Sequence, residues 1–86
     1  MIRTLSEKQQ ADLDLRFDYH PPRSDEVRES HGLVRAMSQN LAQFLAAVVP
    51  AGREQALALT ACEEAMMWAN AGIARHQGAA ASDAAG

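Results

Sequence analysis

A seven-residue repeat of apolar side chains, interrupted by one short break, constrains the fold of this chain most. In the first segment the repeat falls at Val27, Val34, Leu41 and Val48, with further apolar residues beside it at Met37, Phe44 and Leu45. A second segment keeps the same interval at Leu59, Met66 and Ile73. This spacing predicts two amphipathic helices, the first over residues 25–49. Because Pro50-Ala51-Gly52 breaks the helix between them, the sequence predicts an antiparallel helical hairpin.

A short helix is predicted ahead of the hairpin. Thr4-Leu5-Ser6-Glu7 has the spacing of a capping box, in which a hydroxyl and a glutamate satisfy free amides at a helix start. We therefore expect a helix over residues 5–16, with buried positions at Leu5, Leu13 and Phe17. Pro21-Pro22 ends helical structure, because proline has no amide hydrogen and disfavours the helical conformation in the preceding residue. Ser24 then predicts the start of the first long helix, and the predicted fold class is all-α.

Composition limits what else the chain contains. Residues 77–86 have no large apolar side chain, which predicts a disordered tail after a helical hairpin domain over residues 1–76. An apolar run of 18 residues and a basic leader are both missing, so we expect neither a membrane span nor a signal peptide. The single cysteine, Cys62, excludes an internal disulfide and suits a reducing cytosol. We expect it to be a small buried thiol rather than a nucleophile.

The apolar content favours self-association. Of the 86 residues, 22 are Ile, Leu, Val, Met or aromatic and 18 are alanine, which is little for a monomer without a disulfide. The last helix nevertheless has apolar side chains on more faces than one partner helix can cover, at Leu57, Ala61, Met67 and Trp68. We therefore expect a compact homo-oligomer, although an alanine-rich exposed helix end would have a similar composition.

The charge distribution excludes some classes of partner. The formal net charge is −3 and the eight basic residues form no run, so we expect no binding to nucleic acid. A few converging arginines can still bind a small anion. The three histidines lie far apart in sequence with no partner at metal-ligand spacing, so we expect neither a metal nor a cofactor. We interpret them as polar residues of the surface or of loops: His20, His31 and His76.

Glutamates on the two long helices leave one enzymatic alternative open. All-α nucleoside triphosphate pyrophosphatases of the MazG type hold Mg²⁺ with glutamate pairs on facing helices, and this chain has such residues at Glu26, Glu29, Glu63 and Glu64. Acidic residues are common in the first turn of a helix, however, and adjacent glutamates point about 100° apart. We therefore assign no catalytic residue and prefer a protein that is not an enzyme.

Tyr19-His20-Pro21-Pro22 is the most unusual local motif. The paired prolines make the chain rigid, so the phenol and the imidazole present flat surfaces on which a base can stack. Arg28 and Arg35 follow seven residues apart and share one face of a helix. An aromatic platform beside guanidinium groups is typical of a site for a nucleotide-sized anion. The alternative is structural: Tyr19 closes the open end of the hairpin, and the arginines pair with nearby acids.

Two segments carry a family resemblance: residues 17–25, FDYHPPRSD, and residues 58–75, ALTACEEAMMWANAGIAR. Over residues 17–76 the chain resembles the hairpin domain of phage anti-CBASS and anti-Thoeris sponge proteins. This resemblance implies helical hairpins that assemble into compact homo-hexamers. It also implies binding, without cleavage, of the cyclic di- and trinucleotide messengers made by bacterial cGAS-like enzymes, such as 3′,3′-cGAMP.

The resemblance also implies roles for four residues. Tyr19 would stack on a base in a dinucleotide pocket between paired chains, and Arg35 would be the basic phosphate partner there, where the family often has lysine. His20 and Arg75 would line a second pocket, near a threefold contact, for cyclic trinucleotides. The implied function is sequestration of these messengers in the cytoplasm of the infected bacterial host, which blocks CBASS immunity.

Overall fold

A computed structural model describes residues 2–77, which form three α-helices and no strand. α1 spans Glu7–Phe17, α2 spans Asp25–Val48 and α3 spans Arg53–Arg75. The all-α prediction, with a short helix ahead of two long ones, is confirmed. Of the predicted tail, Gln77 is described and is hydrogen-bonded to residues before α2, whereas residues 78–86 lie outside the described part. No helix within residues 2–77 is long and apolar enough to cross a membrane.

Side-chain caps set the starts of α1 and α2. The cap of α1 is Ser6, whose Oγ accepts from Gln9 N at 3.1 Å while Gln9 Oε1 accepts from Ser6 N at 2.9 Å. We expected Thr4 in this role and a start at residue 5, but Ser6 has a glutamine at the capping-box spacing and serine is the stronger N-cap. α2 begins as predicted, with Ser24 Oγ accepting from Val27 N at 3.2 Å.

The turn between α2 and α3 lies at the predicted break, Pro50-Ala51-Gly52. Gly52 has φ 158° and ψ −168°, a backbone region that is open essentially to glycine. Gln55 Nε2 donates to Val49 O at 2.9 Å and to Ala46 O at 3.1 Å. These bonds satisfy carbonyls that have no helical partner at the end of α2. The two long helices consequently pack against each other as an antiparallel hairpin.

The seam between α2 and α3 follows the α-helical repeat rather than a strict seven-residue interval. Three predicted residues are half-buried in it: Val27, Val34 and Leu45. Leu41 and Val48 remain exposed, against the prediction. Seven residues fall about 20° short of two full helical turns, so a row taken every seven residues drifts off the seam, and Val49 is half-buried in place of Val48. On α3 the predicted row is half-buried, at Leu59, Met66 and Ile73.

Most large apolar side chains are not covered within one chain. Cys62 is the single buried residue among residues 2–77, at 9% exposure. On α2, about a quarter turn from the seam, an exposed apolar stripe consists of Leu33, Met37, Leu41, Phe44 and Val48. We expected three residues of the predicted first helix to be buried, and they are exposed because this part of the chain makes few contacts with the hairpin: Leu5, which precedes α1, and Leu13 and Phe17 within it.

Candidate functional site

The open end of the hairpin carries a groove of about 450 Å³. Its walls are the loop that follows α1, the first three turns of α2 and the last two turns of α3. All four residues named from the family resemblance line this groove: Tyr19, His20, Arg35 and Arg75. The hairpin therefore brings residues that are far apart in sequence to one surface.

This groove is basic although the chain is acidic. Its charged lining is three arginines and one carboxylate, Arg28, Arg35, Arg75 and Asp18, whereas the whole chain has a net charge of −3. Arg28 Nη1 donates to Asp25 Oδ1 at 2.7 Å, an exposed ion pair of a kind that contributes about 0–1 kcal/mol. Arg35 and Arg75 have no carboxylate partner within residues 2–77. This local excess of positive charge favours an anionic ligand.

Tyr19 stands at the edge of the groove. The residue is 84% exposed, so it does not close the end of the hairpin, which was the structural alternative for it. Only Arg28 of the groove arginines pairs with an acid in the described part of the chain. The exposed phenol can therefore stack on a base without first leaving other packing contacts.

His20 and Arg75 are both hydrogen-bonded to the last turn of α1. His20 Nε2 lies 2.8 Å from Leu15 O and must carry the hydrogen, because a carbonyl oxygen only accepts. Arg75 Nη2 donates to Arg16 O at 3.3 Å. The last four carbonyls of a helix have no partner within it, so these two side chains satisfy groups that α1 leaves open. These bonds hold α1 beside the groove. They leave His20 Nδ1 and the remaining guanidinium N–H groups of Arg75 available to a ligand.

Arg75 also lines a second groove, of about 500 Å³, between α1 and the end of α3. The exposed rings of Phe17 and Trp68 and the side chain of His76 form part of its lining. Arg75 therefore lies between two surfaces that each combine an aromatic ring with a guanidinium group. Both surfaces suit stacking and anion binding.

Two further groove residues were missed by the sequence analysis. His31 on α2 and Asn70 on α3 are half-buried, and His31 Nδ1 lies 2.8 Å from Asn70 Oδ1 across the seam. We had treated His31 as a surface residue. The sequence does contain a signal for this pair. Both residues lie on the sides of α2 and α3 that form the seam, and each is about twenty residues from the turn at Ala51. An antiparallel hairpin brings such residues face to face.

The four glutamates of the pyrophosphatase alternative are not brought together within the described chain. Glu26 and Glu29 lie near the start of α2, whereas Glu63 and Glu64 lie in the middle of α3. In the antiparallel hairpin, Glu29 faces the level of roughly residue 72, about nine residues or ~13 Å along α3 from Glu63. Residues 2–77 hold no group of three His, Cys, Asp or Glu side chains placed to bind a metal ion.

Comparison with known proteins identifies the family. The family model described as "Acb2/Tad1, hairpin domain" matches residues 9–74, more than half of the 86 residues. This match takes in every residue that lines the groove except Arg75. Searches of the curated proteins and of the solved structures each found no significant match. The chain belongs to the Acb2/Tad1 hairpin-domain family, the anti-CBASS and anti-Thoeris sponges, and this membership implies a phage anti-defence role.

Proposed function

We propose that this protein binds and sequesters cyclic oligonucleotide second messengers without cleaving them, and thereby blocks CBASS immunity in the cytoplasm of the infected bacterial host. Family membership supports the sponge role. One observation carries the choice of ligand: the groove combines the exposed phenol of Tyr19 with Arg35 and Arg75, which have no carboxylate partner within residues 2–77.

A cyclic dinucleotide matches this combination of groups because it has two flat bases and two phosphates. Stacking of a base on an aromatic ring contributes about 1–3 kcal/mol, and Tyr19 supplies the ring. Arg35 supplies a planar fork of donors, which suits the oxygens of a phosphate. Arg28 can release Asp25 and donate to a phosphate instead, because the exposed ion pair between Arg28 and Asp25 is weak.

For a cyclic trinucleotide we propose contacts from His20 and Arg75. Both residues lie where the groove meets α1, and each retains polar atoms beyond its bond to a carbonyl of α1. Arg75 also borders the groove that contains the rings of Phe17 and Trp68. A ligand with a third base needs additional stacking surface, and these rings supply it.

We further propose that the chain forms a compact homo-oligomer, a hexamer as the family resemblance implies. The exposed stripe on α2 supports self-association because its apolar residues are placed almost symmetrically before and after Leu41 in the sequence. Two antiparallel copies of α2 can therefore bury it around a twofold axis, with Leu33 against Val48 and Met37 against Phe44. The stripe would then be removed from water without any further segment.

A hexamer requires more than one kind of contact, because a single twofold contact closes at a dimer. A second apolar surface is exposed on α1 and α3, at Phe17, Leu57 and Trp68.

Arg28 and Arg35 lie about half a turn round α2 from the stripe, so contact through the stripe leaves the groove open to ligand. A pocket shared by two chains would present Tyr19 and Arg35 twice, once for each base and phosphate of a cyclic dinucleotide.

Binding without cleavage is consistent with where the reactive groups lie. Cys62, which carries the chain's one thiol, is buried in the hairpin and lines the seam rather than the groove of Tyr19. Glu63 and Glu64 do not line that groove, and they lie six to seven residues, or ~9–10 Å along α3, before Asn70, the first residue of α3 that does. We therefore propose no chemical step at the site.

Isothermal titration calorimetry with 3′,3′-cGAMP and with a cyclic trinucleotide tests the proposal, followed by chromatography of the ligand after long incubation with Mg²⁺. We expect binding at micromolar protein and recovery of intact ligand. Native mass spectrometry of the same samples is expected to give six chains. An absence of binding to both ligands, or their conversion to linear products, would overturn the proposed function. Turnover of a nucleoside triphosphate that Glu63→Gln abolishes would support the pyrophosphatase instead.

A further inference from the structure

Gln77, just beyond the end of α3, binds both sides of Pro22 in the loop that carries Tyr19. Its Oε1 accepts from Arg23 N at 2.7 Å, and its Nε2 donates to Pro21 O at 3.0 Å. The orientation of the amide follows from the chemistry of its partners, because a backbone N–H only donates and a carbonyl only accepts. The same Nε2 donates to Ala74 O at 3.0 Å, which holds the side chain against α3.

These bonds matter because the loop has few means of holding itself in place. Pro21-Pro22 provides no backbone donor, so the loop cannot close a turn with its own amides at these positions. Within residues 2–77, its side-chain anchors are His20, bonded to Leu15 O on α1, and Gln77, which ties it to α3. Tyr19 precedes His20 directly and is itself exposed. The position of its ring relative to α3 therefore depends on these two anchors.

We propose that Gln77 is a positioning residue for the ligand-binding groove: its side-chain amide clamps the loop at Pro22 against α3, so that Tyr19 and Arg75 are held ready for the ligand. The inference rests on the proposed function. Gln77 lies beyond residues 9–74, so the segment that the family model matches does not include it. A loop that is already ordered loses less conformational entropy when the ligand binds, and the affinity rises accordingly.

Two substitutions separate the two halves of the clamp. Gln77→Met keeps the length of the side chain and removes the amide, so both bonds to the loop are lost. Gln77→Glu keeps an acceptor for Arg23 N but places an oxygen against Pro21 O, so it retains only one bond. Gln10→Met is the matched control, because within the described residues the side chain of Gln10 bonds only to Asp14, on the exposed surface of α1.

The first measurement needs no ligand. Hydrogen exchange of the Arg23 amide, followed by NMR, is expected to accelerate about tenfold or more in Gln77→Met and less in Gln77→Glu, because the bond to Gln77 Oε1 protects that amide. Gln10→Met is expected to leave it unchanged. Equal exchange in the parent protein and in Gln77→Met would overturn the clamp, whatever the protein binds.

The second measurement is the affinity for 3′,3′-cGAMP by calorimetry, with the unfolding midpoint of each variant as a check on folding. We expect Kd to rise about tenfold in Gln77→Met and less in Gln77→Glu at a nearly unchanged midpoint, since hydrogen bonds of this kind have modest net strength. Faster amide exchange with unchanged affinity would overturn the positioning role. A parent protein that binds no cyclic nucleotide would instead overturn the proposed function, and the exchange measurement would still decide whether the clamp exists.

Discussion

His31 and Asn70 join the two long helices at the groove through a hydrogen bond of 2.8 Å between Nδ1 and Oδ1. With the imidazole donating from Nδ1, the amide of Asn70 keeps its two hydrogens and His31 keeps an acceptor at Nε2. Both residues also line the groove. This contact therefore links α2 to α3 and supplies polar atoms to the candidate site.

Removal of one member of this pair is expected to cost more stability than removal of both. His31→Leu leaves the half-buried Asn70 amide without its partner, which costs about 1–3 kcal/mol in the free energy of unfolding. In His31→Leu/Asn70→Leu two apolar side chains meet in the seam, and we expect nearly the parent value. Urea denaturation at one fixed protein concentration measures both, with His76→Leu as the exposed control. A double variant less stable than either single variant would contradict this account.

Replacement of Tyr19 tests stacking directly. Tyr19→Ala is expected to weaken binding of 3′,3′-cGAMP by about 5- to 150-fold for each base that stacks, which corresponds to roughly 1–3 kcal/mol. Tyr19→Phe keeps the ring and is expected to bind nearly as well as the parent. Calorimetry gives the affinities, and an equal loss in both variants would show that the hydroxyl rather than the ring is required.

Arg35 is expected to act through its position and not merely through its charge. Arg35→Ala removes charge-assisted hydrogen bonds to phosphate and should raise Kd at least tenfold, since such bonds contribute about 1.5–3 kcal/mol. Arg53→Ala changes the net charge equally but lies at the other end of the hairpin, in the first turn of α3. We expect it to leave the affinity nearly unchanged in the same titration. Similar losses in the two variants would point to the overall charge.

The apolar stripe on α2 predicts how the proposed homo-oligomer can be broken. Phe44 is 61% exposed within one chain, and Phe44→Glu would place a charge where two copies of the stripe meet. We expect the variant to give a smaller assembly by light scattering after size-exclusion chromatography, because a buried unpaired charge is costly. The neighbouring Gln43→Glu adds the same charge beside the stripe and is expected to keep the parent size. An unchanged assembly in Phe44→Glu would exclude the stripe as the contact.

The helices and their breaks could be read from the sequence because their causes are local. Ser24 caps α2, Pro21-Pro22 precedes it and Pro50-Ala51-Gly52 ends it, and each acts on the backbone within about one helical turn. The four proposed ligand-binding residues came instead from the family resemblance. Composition and spacing alone slightly favour the structural explanation for Tyr19 and the arginines.

The packing depended on contacts between residues that are distant in sequence. Val49 rather than Val48 lies in the seam because small rotations accumulate along α2. Leu13 and Phe17 are exposed because α1 makes few contacts with the hairpin. The sequence predicts Gln77 as the first residue of a disordered tail, yet it binds a loop more than fifty residues earlier in the chain. Local sequence sets backbone conformation over a few residues, whereas burial and hydrogen bonding of side chains depend on where the helices come to lie.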